Sequence, residues 1–175
     1  AQLVEHSTST EFAQVMREVE ILAPAPGVPE HHAVIRSARE FGVNIQSEIE
    51  IGYRIESKRL GGPRPMLAIT GTDGKTTTTS MLTVALQHCR LDPSFAIGAT
   101  VRNSGTNAHH GTGDIFIVEA DESDGSFTAY KPFGAIITNI ELDHVDNFKD
   151  IDAIDAIFQK FVSTIAPDGF LVLDI

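Results

Sequence analysis

The sequence lacks the features of a secreted, membrane-spanning or nucleic-acid-binding protein. A single cysteine, Cys89, excludes an internal disulfide framework. No apolar run approaches the roughly 20 residues that a membrane-spanning helix needs, and the N-terminus has no basic-then-apolar signal pattern. The formal charge is −11, and lysine and arginine form no cluster suited to a phosphate backbone. We therefore expect a soluble, cytoplasmic protein that binds neither nucleic acid nor a membrane.

Helix and strand patterns alternate in the first third of the chain, which is typical of α/β organisation. Hydrophobic spacing and turn residues predict helices over 11–19, 31–41 and 47–55, and strands over 21–23 and 43–45. Gly42 should end the second helix, and Ser47 with Glu50 should form a capping box at the start of the third. Residues 57–65 have two glycines, two prolines and no periodicity, so they are the candidate linker.

A strand, a tight loop and a helix are predicted from Met66 onward. The apolar run 66–69 is followed by Gly71-Thr72-Asp73-Gly74-Lys75-Thr76-Thr77-Thr78 and then by helical spacing. Glycines let the backbone approach a ligand, and the unpaired N–H groups that begin a helix favour an anion. Lys75 could contact β- and γ-phosphate oxygens, and the Thr76 hydroxyl could bind a phosphate-associated Mg²⁺.

The phosphate-loop pattern is incomplete in this chain. Ile69 stands where the full pattern has its first glycine, so only Gly-x-x-Gly-Lys-Thr remains. The alternative is an ordinary glycine-rich turn with an exposed lysine. The preceding strand and the following amphipathic helix favour phosphate binding. In that helix Met81, Ala85 and Cys89 fall on one face, which predicts that Cys89 is buried in the core.

Polar and acidic residues follow two further buried strands, predicted over 115–118 and 135–138. The first strand leads into Glu119-Ala120-Asp121-Glu122-Ser123-Asp124-Gly125, and the second into Asn139 and a segment that contains His144. Strand ends of a parallel sheet meet at one edge, so we expect these residues beside the phosphate loop. Four carboxylates within six residues predict a bound cation. His144 could be a Mg²⁺ ligand or a proton acceptor, although a structural histidine is the alternative.

The remaining segments read as connections and sheet-packing elements. Phe95 to Gly98 predicts a short strand, and residues 103–111 predict a polar loop in which the adjacent histidines lack a partner at metal-ligand spacing. Residues 151–165 keep the spacing of an amphipathic helix whose Phe158 and Phe161 belong to the core. A last strand is expected over 170–173. Together these patterns predict a mostly parallel sheet flanked by helices.

Three runs of residues resemble the central ATPase domain of the Mur ligase family. They are Gly71 to Thr78, Glu119 to Phe127 and Thr138 to Asn147. The second and third runs, with Ser104 to Ala108, are most similar to the alanine-adding branch of the family. The segment 23–29 and Ser47 to Glu50 look closer to the D-glutamate-adding branch.

The resemblance implies a P-loop NTPase-like central domain, residues 61–175, preceded by part of a Rossmann-like UDP-binding region, residues 1–60. It implies an ATP-dependent ligase of peptidoglycan synthesis, and hence of cell shape and division. ATP would phosphorylate the carboxylate of UDP-N-acetylmuramic acid, and an amino acid, L-alanine by this resemblance, would displace phosphate from the acyl phosphate. A third, amino-acid-binding domain would be absent from this chain.

The resemblance also implies roles for individual residues. Lys75 and His144 would be catalytic, and residues Gly71, Thr72, Asp73, Gly74, Lys75, Thr76 and Thr77 would bind ATP. Thr76, Glu119 and His144 would hold Mg²⁺. Asn107, Ser123 and Asn139 are candidate substrate contacts. Asp73 departs from the His or Asn usual in the family, and the exposed position predicted for Lys160 gives no counterpart to the family's carbamoylated lysine.

Other functions remain open at the level of sequence. The chain could be a non-catalytic ATP- and Mg²⁺-binding fragment or hybrid domain, or a D-glutamate-adding ligase. An unrelated P-loop kinase or NTPase would not account for the Glu-Ala-Asp-Glu-Ser-Asp run, and a folate-polyglutamate-type ligase shares the loop but lacks that run.

Overall fold

The computed structural model describes residues 9–25, 28–29, 31–123, 125–142 and 148–174. Its α-helices are α1 Ser9–Met16, α2 Ala33–Glu40, α3 Glu48–Glu56, α4 Lys75–His88 and α5 Ile151–Val162. Its strands are β1 Ile21–Leu22, β2 Asn44–Ile45, β3 Met66–Thr70, β4 Ser94–Val101, β5 Thr106–His109, β6 Phe116–Glu119, β7 Gly134–Ile137 and β8 Phe170–Leu173. A 3₁₀ turn covers Ser126–Ala129. No helix in these ranges is long and apolar enough to cross a membrane.

The chain divides into two compact units, Ala1–Ile51 and Gly52–Ile175. In the first unit β1 and β2 pair in parallel, and Met16, Ala38 and Val43 form a small buried core. The helix predicted over 31–41 is confirmed as α2, and Gly42 follows it with φ +68°. The Ser47 hydroxyl accepts a hydrogen bond from the Glu50 N–H at 3.1 Å, as a capping box requires. The domain assignment made from the sequence, 1–60 and 61–175, stays a prediction.

The second unit contains a six-stranded sheet within the described part of the chain, in the order β5-β4-β6-β3-β7-β8. All neighbouring strands pair in parallel except β4 and β5. The four residues of β6 are buried, as expected of a strand covered on both faces. The predicted mostly parallel sheet flanked by helices is therefore confirmed.

The prediction that residues 103–111 form only a loop is wrong in part. Thr106–His109 is β5, an edge strand that pairs antiparallel with β4. Its side chains are mostly polar and mostly exposed, so its sequence carries no burial pattern, and backbone pairing with β4 places it in the sheet. Strand β4 also extends beyond the predicted 95–98, through an irregularity between Ala96 and Val101.

The prediction that Cys89 is buried is also wrong. Cys89 is exposed at the C-terminal end of α4, and Met81 on the same face is 67% exposed. The buried face of α4 instead carries Thr79 and Thr83, each 0% exposed. The Thr79 hydroxyl donates to the Lys75 carbonyl oxygen at 2.7 Å, so its burial leaves no unpaired donor. Threonines read as polar in a hydrophobic pattern, which explains the error.

Helix α5 and the 3₁₀ turn share an aromatic core, as predicted for Phe158 and Phe161. These two side chains are 2% and 0% exposed. Phe127 of the 3₁₀ turn stacks on Phe161 at 4.7 Å between ring centroids and meets Phe158 edge-on at 5.5 Å. Phe127 closely follows the acidic run that begins at Glu119. The aromatic cluster therefore anchors the backbone at the C-terminal end of that run.

Candidate functional site

The loop between β3 and α4 lies against the end of β7. Gly71 has φ +127°, and a Cβ atom built there would lie 2.3 Å from Thr138 Oγ1 and 2.8 Å from the Asn139 carbonyl oxygen. Only glycine fits such a close approach with this backbone conformation. Gly74, in the left-handed region with φ +82°, is the N-cap of α4, so the helix begins at Lys75.

An open cavity of about 330 Å³ lies over this loop and the first turn of α4. Residues Thr72, Asp73, Gly74, Lys75, Thr76 and Thr77 line it. The N–H groups that begin α4 have no carbonyl partner within the helix, and the helix dipole adds positive potential there. The cavity therefore has the shape and polarity of an anion-binding cradle.

The Lys75 ammonium lies at the centre of the loop. Its Nζ donates to the Gly71 carbonyl oxygen at 2.7 Å, to the Thr72 carbonyl oxygen at 3.3 Å and to Glu122 Oε1 at 3.0 Å. The Lys75 side chain is 14% exposed and the Glu122 side chain 4%. The lysine is thus held in place by its own loop and by one buried carboxylate.

Thr76 and Glu119, two of the three predicted metal ligands, meet at the same edge of the sheet. Thr76 Oγ1 donates to Glu119 Oε1 at 2.7 Å, and Glu119 Oε2 accepts from the Gly98 N–H at 2.7 Å. Among the described residues no group of three or more His, Cys, Asp or Glu side chains is arranged to hold a metal. A hydroxyl and one carboxylate still fit Mg²⁺, which takes few protein ligands and keeps waters and phosphate oxygens.

The segment that follows β7 braces the loop. Asn139 Oδ1 accepts from the Asp73 N–H at 2.8 Å, and Thr72 Oγ1 accepts from the Glu141 N–H at 2.9 Å. The Thr72 N–H donates to the Asn139 carbonyl oxygen at 3.1 Å. Asn139 therefore contacts the candidate cradle directly, and its proposed substrate contact stays a prediction.

Within the described ranges, the other predicted site residues are not shown to contact the loop between β3 and α4. The Ser123 hydroxyl donates to Asp121 Oδ2 at 3.0 Å within the acidic run. Asn107 is exposed on the edge strand β5, which β4 and β6 separate from β3. His144 lies outside the described residues. Lys160 is exposed on α5, as predicted. The roles assigned to Asn107, Ser123 and His144 stay predictions.

Sequence reasoning missed Glu122 as an individual site residue. Burial raises the pKa of its carboxyl above the ordinary value, and Lys75 opposes that rise through a hydrogen bond and its charge. The density of carboxylates after β6 was the available signal. It could not tell which of them turns inward toward the lysine, because that depends on the conformation of the run after the strand ends.

The fold and the loop define an α/β domain with a phosphate-loop-type turn at the carboxyl ends of a parallel sheet. The model of the Mur ligase middle domain matches residues 69–175. The chain is 49% identical over 146 residues to the UDP-N-acetylmuramate--L-alanine ligase of Mycobacterium bovis, covering 83% of this chain and 28% of that protein. The chain belongs to the Mur ligase family.

Two solved structures extend the comparison. The UDP-N-acetylmuramate-alanine ligase MurC of Thermotoga maritima has a TM-score of 0.68 at 28% identity, covering 88% of this chain and 35% of that chain. The UDP-N-acetylmuramate:L-alanyl-gamma-D-glutamyl-meso-diaminopimelate ligase of Neisseria meningitides has a TM-score of 0.71 at 28% identity, covering 93% and 54%. The chain thus spans between about a quarter and a half of the length of these relatives.

Proposed function

We propose that this chain binds ATP with Mg²⁺ at the loop between β3 and α4. The observation that carries the proposal is the convergence of Lys75, Thr76 and Glu119 around an open cradle. An ammonium, the unpaired N–H groups of a helix start and a carboxylate-held cation are the groups that neutralise a triphosphate. The cradle would therefore offer a locally positive site for a polyphosphate in a chain whose formal charge is −11.

In this proposal each residue has a separate task. Lys75 pairs with β- and γ-phosphate oxygens, and the loop backbone from Thr72 to Thr77 donates to the phosphates. Thr76 and Glu119 hold Mg²⁺, which supplies charge neutralisation and orients the phosphate oxygens. His144 would contribute a further metal ligand or contact the reacting carboxylate.

We further propose that the chain is the ATP-binding part of a ligase that joins L-alanine to UDP-N-acetylmuramic acid. The support is its similarity to proteins with that name. The reaction would activate the acid as an acyl phosphate, which the amine of the amino acid then attacks to form an amide and release phosphate. Such chemistry needs two anions held in line, so positioning and charge neutralisation matter more than a covalent nucleophile.

Isothermal titration calorimetry with ATP and Mg²⁺ tests the nucleotide site. Lys75→Ala should weaken binding at least about tenfold, because it removes a charge-assisted contact to phosphate. Lys160→Ala is the matched control, since Lys160 is exposed on α5 and should leave the affinity unchanged. Parental affinity in Lys75→Ala would refute the proposed site.

A second candidate is a nucleotide-binding domain that does not turn over alone. The observation that favours it is the 28% of the Mycobacterium bovis relative that the chain spans. Mixing the chain with ATP, Mg²⁺, UDP-N-acetylmuramate and L-alanine separates the two candidates. Phosphate release that requires all components supports the ligase, and nucleotide binding without release supports the isolated domain.

A further inference from the structure

Lys75 has no donor to spare in this structure. An ammonium has three N–H groups, and three acceptors surround it: two loop carbonyl oxygens and Glu122 Oε1. A phosphate oxygen can therefore bind Lys75 only by replacing one of these partners or by sharing a proton with it. The identity of the partner that is replaced affects how tightly the phosphate binds.

Glu122 is the one charged acceptor of the three. A carboxylate binds an ammonium more strongly than a neutral carbonyl does, and both members of this pair are largely removed from water. The other carboxylate oxygen, Oε2, lies 3.5 Å from Thr70 Oγ1 at the end of β3. Glu122 is thus the strongest competitor for Lys75 among these groups.

Glu122 is buried and contacts Lys75 from the interior of the domain, whereas the cradle on the other side of Lys75 is open. The cradle is lined by Thr72 to Thr77 and not by Glu122, which lines an adjoining tight crevice together with Thr72, Ile154 and Phe158. The backbone just before Glu122 is hydrogen-bonded to β3, since the Ala120 N–H donates to the Ile69 carbonyl oxygen at 2.8 Å. The carboxylate can therefore influence a phosphate in the cradle chiefly through Lys75.

We propose that Glu122 is a positioning residue that pairs with Lys75 and competes with phosphate oxygens for its ammonium. The inference rests on the proposed nucleotide site and adds a determinant of its affinity. Binding of the triphosphate draws Lys75 toward the cradle, and the cost of weakening the buried pair lowers the apparent affinity. Glu122 therefore holds the Lys75 ammonium within the loop, and this hold reduces the affinity for the triphosphate.

A double-mutant cycle with Lys75 tests this inference, using the non-hydrolysable analogue AMP-PNP with Mg²⁺. Glu122→Gln keeps the size of the side chain and an oxygen acceptor but removes the charge. We expect it to tighten AMP-PNP binding by at least about threefold, because Lys75 loses its charged competitor. In a Lys75→Ala background the same substitution should neither tighten nor restore binding.

The charge-matched control is Asp121→Asn. Asp121 neighbours Glu122 in the chain, is exposed and binds Ser123, so neutralising it changes the net charge equally without freeing Lys75. Its effect on affinity should stay below about twofold, as expected of a solvent-screened charge. Thermal unfolding identifies any Glu122→Gln sample that is incompletely folded. In that case Glu122→Asp, which moves the carboxylate away from Lys75, replaces it in the comparison of AMP-PNP affinity with and without Lys75.

The outcomes separate this inference from the function on which it rests. Unchanged or weaker AMP-PNP binding in folded Glu122→Gln overturns the inference, as does equal tightening in the parental and Lys75→Ala backgrounds. If Lys75→Ala alone binds like the parent, the nucleotide site itself is refuted. Tightening that disappears without Lys75 supports the inference.

Discussion

Two carboxylates in the same unit show how the surroundings of a residue set its charge. Burial raises the pKa of Glu122 despite the adjacent Lys75. The Asp92 side chain is 45% exposed, yet hydrogen bonds from the N–H and hydroxyl of Thr112, and then from His109, lower its pKa to about 2. The two shifts differ in sign because desolvation penalises the charged form, whereas donated hydrogen bonds stabilise it.

The Asp92 shift gives a pH prediction. Since its folded-state pKa lies below the ordinary 3.8, its stabilising contribution is present above about 3.8 and is lost as the pH falls through about 2. In Thr112→Val the pKa should rise but stay below 3.8, because the backbone N–H of residue 112 still donates. Carbon-13 NMR titration of the Asp92 carboxyl measures it.

Thr164→Val is the matched control for this titration, since the Thr164 hydroxyl donates to the Phe161 carbonyl oxygen instead. An unchanged Asp92 midpoint in Thr112→Val would show that the hydroxyl contributes nothing to the shift.

At the scale of elements, the phosphate-loop turn depends on strand β7 as much as on its own residues. Thr138 Oγ1 donates to the Thr70 carbonyl oxygen at 3.2 Å, and Asn139 binds the Asp73 N–H. The register that pairs Thr70 with Ile137 brings these groups against Gly71. The loop is therefore shaped by two elements that lie far apart in the sequence.

Gly71→Ala tests this close approach. The added Cβ would combine positive-φ strain with overlap against Thr138 and Asn139, so we expect a loss of at least about 2 kcal/mol in the free energy of unfolding. Gly61→Ala, at φ +97° with no atom within 4 Å, should cost only the backbone strain, about 1 kcal/mol. Urea unfolding measures both, and equal losses would contradict a steric role for β7.

At the scale of the whole molecule, the second unit, Gly52–Ile175, has its own hydrophobic and aromatic core. Ile69, Phe95, Ile97, Val101 and Ile117 form one buried cluster, against which α4 packs through Leu82 and Leu86. The aromatic cluster of Phe127, Phe158 and Phe161 joins the 3₁₀ turn to α5. Both clusters are built on segments that carry site residues at their ends, so core packing also holds the site in place.

Phe127→Ala should therefore destabilise the chain strongly. Phe127 is 0% exposed, and removing a buried aromatic ring costs about 3–5 kcal/mol in the free energy of unfolding. Phe170→Ala is the control, because Phe170 is 46% exposed and should cost roughly 1 kcal/mol. Chemical denaturation followed by circular dichroism compares them, and similar losses would rule out the aromatic cluster as a main source of stability.

Local patterns were sufficient to predict most elements, including the turn between β3 and α4. The run from Met66 to Thr78 encodes strand, turn and helix through its apolar residues and two glycines, and β6 and β7 were recognisable as buried strands. The meeting of Thr76 with Glu119 followed from the rule that parallel strands end at one edge. Edge strand β5 and the threonine face of α4 escaped prediction because their side chains look polar.

The sequence by itself determined the chemistry available at the sheet edge: an ammonium, a hydroxyl, free N–H groups and several carboxylates. Only the tertiary structure decided which carboxylate meets which partner. Lys75 and Glu122 are 47 positions apart, and their contact depends on the register of β3 with β6 and on the conformation after β6. Side-chain pairing over such separations is set by packing across strands, which residue spacing along the chain does not encode.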